Sequence, residues 1–384
     1  MKPSVFPSLP QRPVRVIFSG GGTGGHVFPA LAVARSLQQQ APDSRLLFVG
    51  TRRGLEATVV PQNGYPIRFV TAKGLSRNPL KALTAVAVDL FGATQALWHV
   101  LNFRPDVVVG SGGYVSVPVT LAAWMLRLPV LLLEQNVVPG KATRFLSKHA
   151  ARVCVSFEAS AAAFGRKALV TGNPVREEIL TCHREHARAR LDISPDRPCV
   201  LVTGASQGAR SVNEAVLNAL SAWKNQPWHV LHLTGRRDFE HVAEQARSIL
   251  GNESALRWDG RAFLDDMAAA YAAADLVVAR AGATTIAEIT ARGVPAVLIP
   301  YPHAGAHQTQ NARVTVEHGA AILIADEQAR KDLPQTVLDL MASPDRRAAM
   351  AVASAEAGHP DAALRITLEI LRIARGKTGT VQLS

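Results

Sequence analysis

"RVIFSGGGTGGHVFPALAVA", residues 15–34, reads as a short apolar strand, a cluster of glycines and the first turns of a helix. Gly20, Gly22 and Gly25 satisfy G-x-G-x-x-G, a loop that lays backbone N–H groups against a pyrophosphate at a helix N-terminus. The dinucleotide version also wants an acidic residue ~20 positions on, at the end of the second strand, for a ribose hydroxyl. Here the second strand is "RLLFVG", 45–50, followed by Thr51, Arg52 and Arg53. The nearest acids, Asp43 and Glu56, lie before that strand and well after it. NAD is therefore disfavoured, while the two arginines leave NADP open.

The same design recurs along the chain. "VRVIFS", "RLLFVG", "DVVVG", "VLLLEQ" and "RVCVS" are followed by "CVLVTG", "HVLHLTG", "DLVVARAG" and "PAVLIP". These runs are short and almost continuously apolar, with helical stretches between them, which predicts an α/β fold of parallel sheets covered on both faces by helices. The pattern restarts at "CVLVTGASQGARSVNEAVLNAL", residues 199–220, again strand, glycine loop and helix. Two such openings predict two similar domains, with a boundary near "VTGNPVREEIL", 170–180. A last helix is expected after Pro360, over "DAALRITLEILRIAR", with the proline near its first turn.

A chain of 384 residues, 48% hydrophobic and 19% charged, is long enough for two globular domains. "MKPSVFPSLPQRP" has no apolar run and reads as a loose leader, not a secretory signal. Cys154, Cys182 and Cys199 show no C-x-x-C spacing, which suggests a reducing compartment and no zinc site. A net charge of +12 implies an anionic partner. With 5% aromatic residues and no nucleic-acid signature, lipid is favoured over nucleic acid. The most apolar segment, 115–133, is broken by Pro118, Arg127 and Pro129 and does not span a bilayer.

"VTGASQGAR" approaches the T-G-x-x-x-G-x-G opening of short-chain dehydrogenases, but position 210 is arginine and none of the four tyrosines has lysine four residues on. No D-x-D stands at a strand end, and the adjacent Asp265 and Asp266 read as a helix start, so no essential metal is expected. His26 ends the first glycine loop. The positive end of the helix dipole favours its neutral ring, able to accept a proton, and the alternative is a histidine that only caps the helix. Thr285 and Glu288 fit a capping box, S/T-x-x-E, which the residues alone favour over a carboxylate for a ribose diol. Ser206 and Gln207 suit phosphate oxygens or the turn itself. "HQTQN", 307–311, groups amides after the strand end "LIPYP", where ligands sit in open α/β sheets.

Between 71 and 148 eight basic residues (Lys73, Arg77, Lys81, Arg104, Arg127, Lys141, Arg144, Lys148) face three acids, Asp89, Asp106 and Glu134. Within that segment "NPLKALTAVAVDLFGATQALWHVL" is apolar over more than one stripe. A helix buried between neighbours is the common case; basic residues beside surplus apolar area are also what an interfacial membrane contact needs.

Eight motifs in order, "GGTGGHVFPALAVA", "GSGGYVSVP", "EQN", "GNPVR", "GASQGAR", "FLDDM", "AGATTIAE" and "HQTQNA", make the chain strongly resemble the MurG family of peptidoglycan glycosyltransferases over residues 13–375. The resemblance implies the GT-B fold, two Rossmann-like domains facing each other across a cleft. It divides the chain into a leader (1–12), an acceptor and membrane domain (13–173, with helix 360–376 packing back on it) and a UDP-sugar donor domain (174–358). It implies donor contacts at Thr23, Gly24, Gly25, Asn136, Arg176, Ser206, Leu264 and Gln308. The run Ala283, Thr284, Thr285, Ile286, Ala287 and Glu288 joins them, with Glu288 as the ribose ligand against the capping-box reading. Gly112, Gly113 and Tyr114 would face the acceptor pyrophosphate, His26 would be the leading base and Glu134 the second candidate. Many members carry histidine just before "EQN", where this chain has Leu133.

The implied reaction is an inverting transfer of N-acetylglucosamine from UDP-N-acetylglucosamine to the C4 hydroxyl of undecaprenyl-pyrophosphoryl-N-acetylmuramyl-pentapeptide, lipid I, giving lipid II, with no cofactor. The family is peripheral on the cytoplasmic side of the cell inner membrane, and Lys73, Arg77 and Lys81 are the expected contact with an anionic membrane surface. The alternatives are a UDP-N-acetylglucosamine 2-epimerase of the same fold, an NADP oxidoreductase and a non-catalytic membrane scaffold.

Overall fold

The computed structural model describes residues 13–72, 79–204, 208–302 and 307–376. The chain forms two compact units. The first comprises residues up to Glu134, Pro139–Thr171 and the stretch from Asp361 on, and the second comprises Gln135–Val138 and Gly172–Pro360. The four residues 135–138 join the second unit although both their neighbours belong to the first, a crossing that the continuous apolar run at 130–135 does not announce.

In the first unit the strands are β1 (Arg15–Gly20), β2 (Arg45–Gly50), β3 (Ile67–Phe69), β4 (Val107–Gly112), β5 (Val130–Glu134), β6 (Arg152–Val155) and β7 (Ala168–Val170). They pair in parallel in the order β3-β2-β1-β4-β5-β6-β7. The second unit contains β8 (Cys199–Thr203), β9 (His229–Leu233), β10 (Arg257–Arg261), β11 (Leu276–Ala279), β12 (Ala296–Leu298) and β13 (Ala321–Leu323), also parallel, in the order β10-β9-β8-β11-β12-β13. Each order reverses beside the unit's first strand, so the loops after β1 and β4, and after β8 and β11, lie at the switch point where open α/β sheets take ligands.

Alternate residues of the central strands feed cores on both faces of the first sheet. Val16 and Phe18 pack with Val33 and Leu37 on one side, and Ile17 and Val49 pack with Val119 and Ala123 on the other. The last helix, Ala362–Ala374, lies against the first of these cores through Ile366 and Ile370. Glu369 on it pairs with Arg152 at 3.1 Å. Pro360 stands outside this helix, before the capping Asp361, so it precedes the first turn instead of forming it. Asp266 caps helix Met267–Ala273 by accepting from the Ala269 N–H at 2.9 Å, so the paired aspartates do start a helix.

"NPLKALTAVAVDLFGATQALWHVL" falls on helix Pro79–Phe103. It is not buried on all sides: Phe91, Trp98 and Leu101 are exposed, as are Trp124 and Met125 of helix Ser116–Met125 and Phe145 of helix Lys141–Ser147. The common reading, a helix enclosed by neighbours, is thereby corrected. Among the described residues no helix is long and apolar enough to cross a membrane.

Candidate active site

In the first unit, helix Gly24–Gln40 begins directly after the glycine loop, with Thr23 at its cap and His26 in its first turn. The Thr23 side chain makes no capping bond, and its carbonyl accepts from the N–H groups of His26 and Val27. Gly24 has no room for a Cβ, which would stand 2.8 Å from the Phe28 ring. The His26 side chain reaches across to β4, where Nδ1 lies 3.0 Å from the Ser111 carbonyl oxygen. A carbonyl only accepts, so Nδ1 carries a proton, and whenever the ring is neutral its lone pair is on Nε2. The imidazole therefore bonds to the neighbouring strand.

Gly112 and Gly113 follow at φ +103° and +75°, a left-handed turn that a side chain strains. A Cβ on Gly113 would come 3.0 Å from the Gly21 carbonyl oxygen, so the glycine lets the two loops lie close together, with the imidazole next to it at 3.4 Å. Tyr114 next to it is exposed. Glu134, at the end of β5, is buried and accepts from the Gly140 N–H at 3.0 Å, which ties down the loop that leads into helix Lys141–Ser147.

In the second unit Glu288 and Arg176 meet, 3.1 Å apart and 112 positions apart in sequence. Glu288 is buried; burial pushes its carboxyl above the usual range, opposed by the Arg176 charge and by hydrogen bonds from Arg176 and Tyr271. Burial and the Glu288 charge push the Tyr271 hydroxyl well up as well. Helix Ala283–Ala291 is capped by Gly282, so Thr285 stands in the first turn and Glu288 in the second. The capping-box reading fails, because that box needs its threonine at the cap itself. The run Ala283–Glu288 is instead the helix's opening, whose first N–H groups lack intrahelical partners and favour anions. Asn173 donates to the Thr284 hydroxyl at 3.4 Å.

Gln308, on helix His307–Glu317, accepts from the Tyr301 N–H at 2.9 Å. Leu264 is half-buried just before helix Met267–Ala273. Asn136 pairs with a residue that the sequence reading passed over. Asn311 is fully buried, donates to the Asn136 side-chain oxygen at 3.1 Å and to the Ala281 carbonyl at 3.3 Å, and accepts from the Val137 N–H at 3.0 Å. One amide thus joins the "EQN" segment, the end of β11 and helix His307–Glu317. Its spacing of three from Gln308 puts the two on neighbouring positions of one helix face, a signal present in "HQTQN". The second residue passed over is Glu56, whose carboxylate accepts from the Gly22 N–H. Ser206, Lys73 and Arg77 lie outside the described residues, as does the side chain of Lys81. Among the described residues no group of three or more His, Cys, Asp or Glu is placed to hold a metal ion.

Two family models cover the chain: the glycosyltransferase family 28 N-terminal domain over residues 16–155 and its C-terminal domain over 199–366. Fold and matches together define a UDP-sugar hexosyltransferase of the GT-B class, built from two Rossmann-like domains. A protein of Moorella thermoacetica named UDP-N-acetylglucosamine--N-acetylmuramyl-(pentapeptide) pyrophosphoryl-undecaprenol N-acetylglucosamine transferase is 43% identical over 371 residues, 94% of this chain and 99% of that one. A Listeria monocytogenes protein of the same name is 38% identical over 367 residues, 94% of this chain and all of that one. The crystal structure of Acinetobacter baumannii MurG superposes with a TM-score of 0.75 at 30% identity, covering 94% of this chain and all of the other. The chain belongs to the MurG family. The UDP-GlcNAc 2-epimerase of Neisseria meningitidis also superposes, with a TM-score of 0.67 over 93% of this chain and 99% of that one, but at 15% identity it shares the fold alone.

Proposed function

We propose that the protein transfers N-acetylglucosamine from UDP-N-acetylglucosamine to the C4 hydroxyl of the N-acetylmuramyl-pentapeptide of lipid I, with inversion, to give lipid II. The observation that carries this reading is the near-full-length identity to relatives bearing that name, since the epimerases share only the fold. In the proposed mechanism Nε2 of His26 takes the proton from the acceptor hydroxyl as it attacks the anomeric carbon. The bond to UDP breaks through an oxocarbenium-like state. The departing diphosphate gains charge at the opening of helix Ala283–Ala291, with Ser206 and the amides of Thr23, Gly24 and Gly25 as further donors. Glu288, one oxygen held by Arg176, accepts from the ribose hydroxyls; Leu264, Gln308 and Asn136 complete the donor set. Gly112, Gly113 and Tyr114 take the acceptor pyrophosphate, and Glu134 is the second candidate base.

The protein works as a peripheral enzyme on the cytoplasmic side of the inner membrane. Exposed Phe91, Trp98, Leu101, Trp124, Met125 and Phe145 supply apolar contact, and the basic segment around Lys73, Arg77 and Lys81 supplies charge. Incubation with labelled UDP-N-acetylglucosamine and a lipid I analogue tests the reading. Label should pass to the lipid only when the acceptor is present. Conversion of the donor to its 2-epimer without any acceptor would replace the transferase by the epimerase.

A further inference from the structure

The glycine loop that opens the first unit is held by an anion of the protein's own. Glu56 stands beyond β2, at the start of helix Glu56–Gln62, and is 1% exposed. Its Oε2 accepts from the Gly22 N–H at 2.8 Å; its Oε1 accepts from the Thr51 N–H at 2.9 Å and from the Thr51 hydroxyl at 2.8 Å. Three glycines make space for it. A Cβ on Gly21 would lie 2.2 Å from the Glu56 carboxyl carbon, one on Gly54 would lie 2.1 Å from Oε2, and one on Gly50 2.4 Å from Cγ. The same loop also borders the histidine's surroundings: a Cβ on Gly113 would stand 3.0 Å from the Gly21 carbonyl oxygen and 3.4 Å from Cδ2 of His26. Gly22 is therefore bonded to the carboxylate, and the Gly21 carbonyl lies beside Gly113, which in turn borders the imidazole.

A buried carboxylate is costly unless its lone pairs accept hydrogen bonds, and bonds from N–H groups to an ionised carboxylate are the strong ones. A glycine loop before a helix usually offers such N–H groups to phosphate. Here Gly22 offers its own to Glu56. We propose that Glu56 is a positioning residue for His26, an internal anion that fixes the glycine loop and, through it, the seat of the imidazole. The inference rests on the reading of His26 as the base.

Glu56→Gln keeps the shape but places an amide N–H where a second acceptor is needed, so the N–H of Gly22 or of Thr51 loses its partner. The expected result is a fall in kcat of about 10²-fold, the cost of displacing a reacting group by ~1 Å. UDP affinity should fall less than kcat, since only the amides of Thr23, Gly24 and Gly25 of the donor set adjoin this loop, and the ring nitrogen resonances of His26 should shift. Thr51→Val removes only the hydroxyl bond and should move the same resonances less, which covers the case of a Gln variant that folds poorly. Native kcat in a folded Glu56→Gln overturns the proposal. So does a lowered kcat with His26 resonances unmoved in both variants. The resonance measurement needs no turnover, so a native chain that transfers no sugar sinks the proposed function while the positioning role is still decided.

Discussion

Burial pushes the Glu288 carboxyl above its ordinary value, and Arg176 with the Tyr271 hydroxyl opposes that rise. One Glu288 oxygen lies on Arg176, and its carboxylate is the acceptor proposed for the ribose diol. Glu288→Ala should weaken UDP binding by ~1.5–3 kcal/mol, the range for hydrogen bonds to a charged group. It should also abolish the preference of the native protein for UDP over 2′-deoxy-UDP. A lowered melting point with unchanged affinity, by titration calorimetry, would make the cluster a packing device only. His26→Ala should lower kcat by ~10²–10⁴ with UDP affinity unchanged, and the acidic limb of the kcat/KM profile should vanish. A near-native kcat with weakened donor binding would move the base to Glu134. His232 lies outside this chemistry and governs acid stability. It is fully buried and bonded to the Asn213 side-chain oxygen at 3.0 Å, and burial lowers its pKa from 6.5 to about 3. The unfolded chain takes up the proton first, so this contribution to stability is complete above pH 6.5. It is lost as the pH falls below 6.5, by at most ~1.4 kcal/mol per unit, and levels off near 3. Denaturant melts of His232→Gln should show a flatter pH dependence over that window; an unchanged slope refutes it.

Each of the nine apolar runs marks a strand, and the four strands that they omit, β3, β7, β10 and β13, are the outermost strands of the two sheets. An interior strand of a parallel sheet is covered on both faces and reads as an unbroken apolar run. Outer strands here are either three residues long, as in "IRF", "ALV" and "AIL", or polar, as in "RWDGR". Short or charged edges also discourage pairing with another chain. The site was legible to the same degree. His26, Glu288 and the glycines stood in quotable motifs, whereas Asn311, although inside "HQTQN", and Glu56 act through bonds to segments 30 or more positions away that no local pattern encodes. Glu56 was set aside for lying too far past β2 for a ribose, and it bonds back to the loop after β1 instead. The closing helix is legible from its period, and its weight can be measured. Ile370 on it is fully buried, so Ile370→Ala should cost ~2–5 kcal/mol in urea unfolding. Val352 on helix Pro344–Glu356 is 60% exposed, and its change to alanine should stay within ~0.5 kcal/mol. Equal effects would contradict the packing assigned to the last helix.

For the molecule as a whole, the proposed membrane contact would draw separately on the net charge of +12 and on the exposed apolar side chains of the first unit, and salt separates the two. Charge would attract the protein to anionic lipid only over a Debye length, which shrinks to ~3 Å at 1 M salt. Apolar insertion is insensitive to that screening. Trp124 lies tilted against His149 with ring centroids 4.1 Å apart, and Phe145 lies edge-on to the same ring at 6.3 Å, so these aromatics form one continuous patch. Lys73, Arg77 and Lys81 changed together to glutamate should abolish the salt-sensitive part of pelleting with anionic vesicles and leave UDP binding intact. Trp98→Ser with Trp124→Ser should instead remove the fraction that persists at 1 M salt. Aromatic side chains inserted at the headgroup level gain from burial of their rings, at ~25 cal/mol per Å² of apolar surface. Native pelleting should therefore fall with salt to a plateau above zero. If 1 M salt releases the native protein completely, the aromatic patch is not inserted and charge alone holds the enzyme to lipid. If the double tryptophan variant keeps the native plateau, the apolar contact lies on other residues.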